Sequence, residues 1–135
     1  MVEQISETLP RGLSVMSRGE IVRWWERRRF RYNILIGAVG FTTWCLVLIA
    51  GSAAVKPGVD FEEPMVMLIG PILYGIAANL FYTLGWIVDI CFYRGYPRSS
   101  LFRIGLTFSL VLTSLPGLWA VTAWLMAVIT GKKLA

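Results

Sequence analysis

The sequence predicts an all-α integral membrane protein, with three transmembrane helices preceded by a basic, tryptophan-rich amphipathic helix. Hydrophobic residues make up 56% of the chain and charged residues only 16%, a balance far from that of a soluble domain. Three apolar runs, at residues 34–54, 65–91 and 101–130, each supply the roughly 20 helical residues that cross a hydrocarbon core. Because these runs fill most of the chain, we expect one transmembrane domain over 34–135 and no separate soluble domain.

The N-terminal region combines arginine with aromatic residues. We expect residues 1–16 to be flexible and residues 17–33 to form a juxtamembrane helix, because Ser17 and Glu20 have the spacing of a capping box. Tryptophan rings settle at the depth of lipid headgroups, and arginines beside them meet anionic lipid. The predicted interfacial anchors and lipid contacts are Trp24, Trp25, Arg27, Arg28, Arg29 and Arg31. Nucleic acid also binds arginine and aromatic side chains, but the sequence contains no recognisable binding module, so we expect no nucleic-acid partner.

A cleaved signal peptide is the alternative interpretation of the first apolar run, because the sequence AGSAAV near its end resembles a cleavage site. The leader before the run, about thirty residues, is long for a signal peptide. Thr42 and Thr43 also interrupt the run. These proportions favour an uncleaved first span.

The second span carries polar residues at helical spacing. Its predicted packing or polar face consists of Gly75, Asn79, Tyr82, Trp86 and Asp89. Asn79 falls near the bilayer centre, so we expect its amide to hydrogen-bond to another helix. Asp89 falls at the cytoplasmic end, where we expect an ion pair with Arg31. One interpretation of this face is helix packing, and the other is a path for an ion or a ligand.

Small residues in the other two spans would allow close contact between helices. The predicted positions are Gly37 and Gly40 in the first span and Gly105, Ser109, Thr113 and Gly117 in the third. Such rows serve either packing within the chain or self-association. We expect the third span to be one helix, bent near Pro116, because each half would be too short to cross alone.

Basic residues are distributed unevenly around the predicted spans. Ten of the thirteen arginines and lysines precede the first span or surround the second loop, whereas Lys56, Lys132 and Lys133 lie in the first loop and the tail. The positive-inside rule therefore predicts a multi-pass protein of the cytoplasmic (inner) membrane, with its N-terminus inside and its C-terminus outside.

Two short stretches resemble small uncharacterised bacterial inner-membrane proteins with three spans. The first stretch, Trp/Phe-Glu-x-x-Arg-x-x-Tyr-Asn, corresponds here to Trp25, Glu26, Arg29, Tyr32 and Asn33. The second, Ala-Asn-x-x-Tyr-x-x-Gly-x-x-x-acid, corresponds to Ala78, Asn79, Tyr82, Gly85 and Asp89. The resemblance implies the membrane architecture and no particular activity.

The sequence contains few residues of the types that carry out catalysis. There is no histidine, which excludes acid–base catalysis by histidine and histidine-ligated haem or zinc. Asp60, Glu62 and Glu63 in the first loop are better explained as the approach to a helix that starts at Pro64 than as a cation site. We therefore expect no metal and no cofactor.

These observations predict a non-enzymatic accessory or scaffold subunit of a membrane complex, packed beside other membrane-protein subunits or beside itself. The alternative is a homo-oligomeric channel, transporter or membrane-disrupting effector that uses the polar face of the second span. A lipid-modifying enzyme stays open, because an acid near the headgroups, such as Asp89, can act without histidine.

Overall fold

The computed structural model describes residues 16–92 and 99–134, and three long helices dominate this part of the chain. We number them α1 (Arg18–Ala54), α2 (Pro64–Cys91) and α3 (Ser99–Thr130). All three are long and apolar enough to cross a membrane, so the chain is a multi-pass membrane protein and the prediction of three such helices is confirmed. Most of the predicted flexible segment, and the loop that carries Arg94 and Arg98, lie outside the described residues.

Helix α1 begins at the predicted capping box and continues into the first span without a break. The Ser17 backbone N–H donates to Glu20 Oε2 at 2.7 Å, and the Glu20 backbone N–H donates to Ser17 Oγ at 3.3 Å. These bonds satisfy two N–H groups that the start of a helix leaves without partners. The predicted juxtamembrane helix is therefore the first half of one 37-residue helix, which contains a π-helical turn at Val47–Gly51.

Prolines lie at the start of α2 and inside α3. Pro64 occupies the first turn of α2, as predicted, where its missing N–H removes no intrahelical hydrogen bond. Pro116 lies within α3, which nevertheless runs as one helix from Ser99 to Thr130. The prediction of a single helix in this region is confirmed, and the bend at Pro116 stays a prediction.

Helix α1 is the central element, because it packs along both α2 and α3, which contact each other much less. Between Arg18 and Leu46 its buried side chains recur at intervals of four, seven and four residues, so they share one face of the helix. These side chains are Ile21, Trp25, Tyr32 and Ile36. They pack against Ala78 and Tyr82 of α2, and Phe102 of α3 covers the same cluster.

A second cluster closes the opposite end of the bundle. Val47 and Ala50 of α1 pack there against Ala120 of α3. The Leu134 N–H donates to the Ala54 carbonyl oxygen at 2.9 Å, so the end of the described chain lies beside the end of α1. The start of α1 and the end of the described chain are therefore at opposite ends of the bundle.

Three of the four small residues in the predicted α3 row face α1. Ser109, Thr113 and Gly117 are buried. A Cβ built on Gly117 would lie 3.2 Å from Thr43 Cα, and one built on Gly40 would lie 3.6 Å from Thr113 Cγ2. These residues let α1 and α3 approach closely within one chain.

The other two small-residue positions are open. Gly37 in α1 and Gly105 in α3 are exposed. A Cβ built on either glycine would meet no packed neighbour within 4 Å in the part of the chain that the structure describes. Within the described residues, neither position is therefore a contact between helices.

Replacing Gly117 by leucine should destabilise the bundle, because the new side chain would enter space held by the α1 backbone at Thr43. Overpacking of this kind typically costs about 1–3 kcal/mol. Unfolding of the purified protein in detergent measures the change. Gly105→Leu in the same helix is the matched control and should change stability by less than about 0.5 kcal/mol. Equal losses in the two variants would contradict the described packing of α3 on α1.

Candidate functional site

The predicted polar face of α2 divides between the interior of the bundle and an open surface. Tyr82 and Asp89 are 5% and 2% exposed and hydrogen-bond to α1. Trp86 is partly buried beside the same interior cluster. Gly75 and Asn79 line an open groove on the outside of the bundle. The single face expected from sequence spacing is therefore two surfaces with different neighbours.

The interior surface is held by a hydrogen bond between an indole and a carboxylate. Trp25 Nε1 donates to Asp89 Oδ2 at 2.9 Å, and both side chains are 2% exposed. A Cβ built on Gly85 would lie 3.4 Å from Trp25 Cη2, so the ring packs against α2 at this position.

This geometry corrects the expectation that Trp25 is an interfacial lipid anchor. Its ring lies in the core of the bundle, because the α2 carboxylate of Asp89 provides a partner for the indole N–H. We refer to the interior residues Trp25, Tyr32, Tyr82 and Asp89 as the buried seam. Trp24 is only partly buried and contacts Trp25 and Phe102 through ring edges.

The predicted ion pair between Asp89 and Arg31 is wrong. Arg31 is exposed, whereas the Asp89 carboxylate faces Trp25. Arg31 follows Trp25 by six residues, and at about 100° per residue this turns it about 120° from the buried face of α1. The ion pair that the described residues contain joins Arg29 Nη2 to Glu26 Oε1 at 2.9 Å, within α1.

The two tyrosines of the buried seam connect all three helices. Tyr82 Oη donates to the carbonyl oxygen of Trp25. Tyr32 Oη lies 3.3 Å from the carbonyl oxygen of Ala78 in α2 and 2.9 Å from Ser109 Oγ in α3. The two tyrosine rings are also in contact, with centroids 4.7 Å apart. Both hydroxyl groups are thus satisfied by protein atoms.

Tyr74 is an interhelical residue that sequence reasoning missed. Its hydroxyl donates to the Ser109 carbonyl oxygen at 2.9 Å and lies 2.7 Å from Thr113 Oγ1. This is a polar link between α2 and α3, which otherwise have little contact. The spacing of four residues from Tyr74 to Ala78 and from Ala78 to Tyr82 is the signal that could have found it.

The buried seam is suited to holding helices together. An indole N–H donates a hydrogen bond but has no lone pair to accept a proton, so the bond from Trp25 to Asp89 is not a step in a proton relay. Among residues 16–92 and 99–134, no group of three acidic or cysteine side chains is arranged to hold a metal ion. The chemistry that the geometry supports at this site is therefore hydrogen bonding and packing.

Arg29 lies at one end of the open groove on the outside of the bundle. The groove has a volume of about 480 Å³ and we call it the Arg29 groove. Arg29 Nη2 donates to Thr83 Oγ1 in α2 at 3.0 Å, and the guanidinium carbon lies 5.2 Å from the centroid of the Tyr82 ring. The remaining wall belongs to α2 and comprises Ile72, Gly75, Ile76, Asn79 and Leu80. An arginine is thus held at one end of a mainly apolar groove.

The structure also corrects the expected role of Asn79. Its amide Nδ2 donates to the carbonyl oxygen of Gly75 at 3.0 Å, which is a bond within α2 and not to another helix. Asn79 precedes Tyr82 by three residues, which places it about 60° round the helix from the buried seam. The side chain therefore points toward the Arg29 groove.

The other predicted lipid-contact arginines differ in their surroundings. Arg27 and Arg31 are exposed. Arg28 lies over the Trp24 ring, with its guanidinium carbon 3.6 Å from the ring centroid, and donates to the Trp24 carbonyl oxygen at 3.1 Å. Of these four arginines, Arg29 is the one that hydrogen-bonds to another helix within the described residues.

Comparisons with protein-family models, with curated proteins and with solved structures find no match to this chain. The resemblance to small inner-membrane proteins therefore stays a prediction. The two stretches that carry it nevertheless meet in the structure, since Trp25 contacts Asp89 and Gly85, and Tyr32 contacts Ala78.

Replacing Trp25 by phenylalanine should lower the free energy of unfolding by about 1–3 kcal/mol, because the buried Asp89 carboxylate would lose this donor. Chemical unfolding in detergent micelles measures the loss. Trp24→Phe is the matched control, since it makes the same change at a partly buried ring of the same helix. We expect less than about 1 kcal/mol there, and a control that loses as much stability as Trp25→Phe would contradict the assigned hydrogen bond.

Proposed function

We propose that this protein is a non-enzymatic accessory or scaffold subunit of a membrane complex. The observation that carries the proposal is the internal use of its polar side chains: Tyr32, Tyr82 and Asp89 are hydrogen-bonded inside the bundle. Polar groups that serve catalysis or conduction must reach a substrate or an ion, and these groups are buried between helices of one chain. They stabilise a small membrane scaffold.

Two open glycines support the role of a partner subunit. Gly37 and Gly105 are exposed on long apolar helices, with room for close approach by another helix. Small residues at such positions allow helix backbones to meet in a membrane, where association depends on packing and not on hydrophobic burial. Partner subunits of the same membrane are therefore the proposed neighbours, together with anionic lipid headgroups at the arginine-rich segment.

The alternative function, a homo-oligomeric channel, transporter or membrane-disrupting effector, has less support. It requires the polar face of α2 to line a path between copies of the chain. Tyr82 and Asp89 of that face are buried against α1, which leaves Asn79 and Thr83 as the polar side chains available to such a path. A lipid-modifying reaction has similarly little support, since the Asp89 carboxylate is buried and bonded to Trp25.

Extraction in mild detergent followed by native mass measurement tests the proposed role. A scaffold subunit should co-purify with other membrane proteins in fixed stoichiometry. Leucine at Gly37 or Gly105 should reduce that yield while leaving the stability of the isolated chain unchanged, because neither position packs within the chain. A single homo-oligomeric species that is insensitive to both substitutions would favour the channel instead.

We also propose that the chain lies in the cytoplasmic membrane with its N-terminus inside. Ten basic residues on one side against three on the other support this orientation. The start of α1 and the end of the described chain lie at opposite ends of the bundle, which supports an odd number of crossings. A reporter that fluoresces only in the cytoplasm should be active when fused after Tyr96 and silent when fused after Ala135. A fluorescent fusion at Ala135 would contradict the orientation.

A further inference from the structure

The Arg29 groove has the length of one lipid leaflet. Its wall on α2 extends from Ile72 to Thr83, a difference of eleven residues. At about 1.5 Å per residue this is about 16 Å, close to half of a hydrocarbon core about 30 Å thick. The polar end is at Arg29 and Thr83, which are hydrogen-bonded to each other, and the opposite end is apolar.

The apolar part of the groove is built from exposed aliphatic side chains. Ile72, Ile76 and Leu80 are 61%, 56% and 62% exposed. Gly75 opens the groove further, since a Cβ at this position would meet no packed neighbour within 4 Å in the described chain. An extended hydrocarbon chain can therefore lie along α2 beneath the arginine.

The guanidinium of Arg29 retains hydrogen-bond donors. A guanidinium has five N–H groups. In Arg29, Nη2 donates to Thr83 Oγ1 and pairs with Glu26 Oε1. Nε is buried without a hydrogen-bond partner among the described residues. The side chain is 30% exposed at the groove, and a planar guanidinium binds a phosphate group through paired hydrogen bonds.

We propose that the Arg29 groove binds one anionic phospholipid from the leaflet that holds the arginine-rich start of α1. The lipid phosphate binds Arg29, and one acyl chain packs along Ile72, Ile76 and Leu80. The exposed cations of Arg27 and Arg31 on the same helix favour a headgroup with net negative charge, as basic pockets between transmembrane helices do. This inference rests on the proposed membrane placement and is independent of the proposed accessory role.

The test uses the purified full-length chain in nanodiscs of equal parts phosphatidylcholine and phosphatidylglycerol. Native mass measurement after release from the disc should find phosphatidylglycerol retained on the wild-type chain in preference to phosphatidylcholine. Arg29→Gln should weaken this retention by about tenfold or more, the loss expected when a charge-assisted pair is removed. Arg31→Gln removes the same charge two residues away, at an exposed position, and should weaken the retention of phosphatidylglycerol much less than Arg29→Gln does, because an exposed charge is screened by salt.

A second variant tests the groove without changing charge. Gly75→Leu should fill the groove and displace the lipid, whereas Gly37→Leu, at an equally open glycine outside it, should not. If Arg29→Gln fails to fold, this pair decides the question. Equal retention of the two lipids by the wild type, or undiminished retention by Gly75→Leu, would overturn the proposal.

The outcome is separable from that of the proposed function. Absence of retained phosphatidylglycerol, with the fusion reporters and the co-purified subunits as expected, would overturn the lipid site alone. If Gly75→Leu released a co-purified membrane protein from the native complex while lipid retention stayed the same, the groove would be a helix-docking site and the lipid proposal would be wrong.

Discussion

A carboxylate and several hydroxyl groups lie buried among three apolar helices, where they need hydrogen-bond partners within the protein. Helix α1 supplies the partners for Asp89, Tyr82 and Ala78 from a single face, through the Trp25 indole, the Trp25 carbonyl oxygen and the Tyr32 hydroxyl. The positions of α2 and α3 depend on this face, because the two helices have little contact with each other. The buried seam therefore determines which surfaces remain open, including the Arg29 groove.

The sequence was sufficient to predict the helices and insufficient to predict their neighbours. Apolar length and the Ser17 capping box gave the helix bounds, since both are local properties. The partner of Asp89 depends on how α1 is rotated about its axis, which the sequence alone does not determine. Arg31 has the right charge and a similar depth, but it lies on an exposed side of α1, whereas Asp89 bonds to Trp25 on the buried side. Asn79 was misjudged for the same reason, because a residue about 60° from the buried seam can bond to its own helix.

The two surfaces of α2 have different roles in the bundle. The buried seam holds the helices together through buried polar groups that would be costly to leave without partners, and the exposed faces are available to lipids and to other helices. Arg29 links the two surfaces, because its guanidinium lies near the Tyr82 ring and bonds to Thr83 at the head of the groove.

Helix α1 packs on the other helices of the same chain, so Tyr82 and Asp89 of α2 do not line a space between copies. Cysteines placed at Gly40 and Thr113, which lie 3.6 Å apart from the Gly40 Cβ position to Thr113 Cγ2, test this directly in a chain whose two native cysteines are replaced by serine. Oxidation in native membranes, followed by proteolysis and mass measurement with differently tagged copies, should yield a disulfide within one chain. Disulfides that join two differently tagged chains would contradict the account.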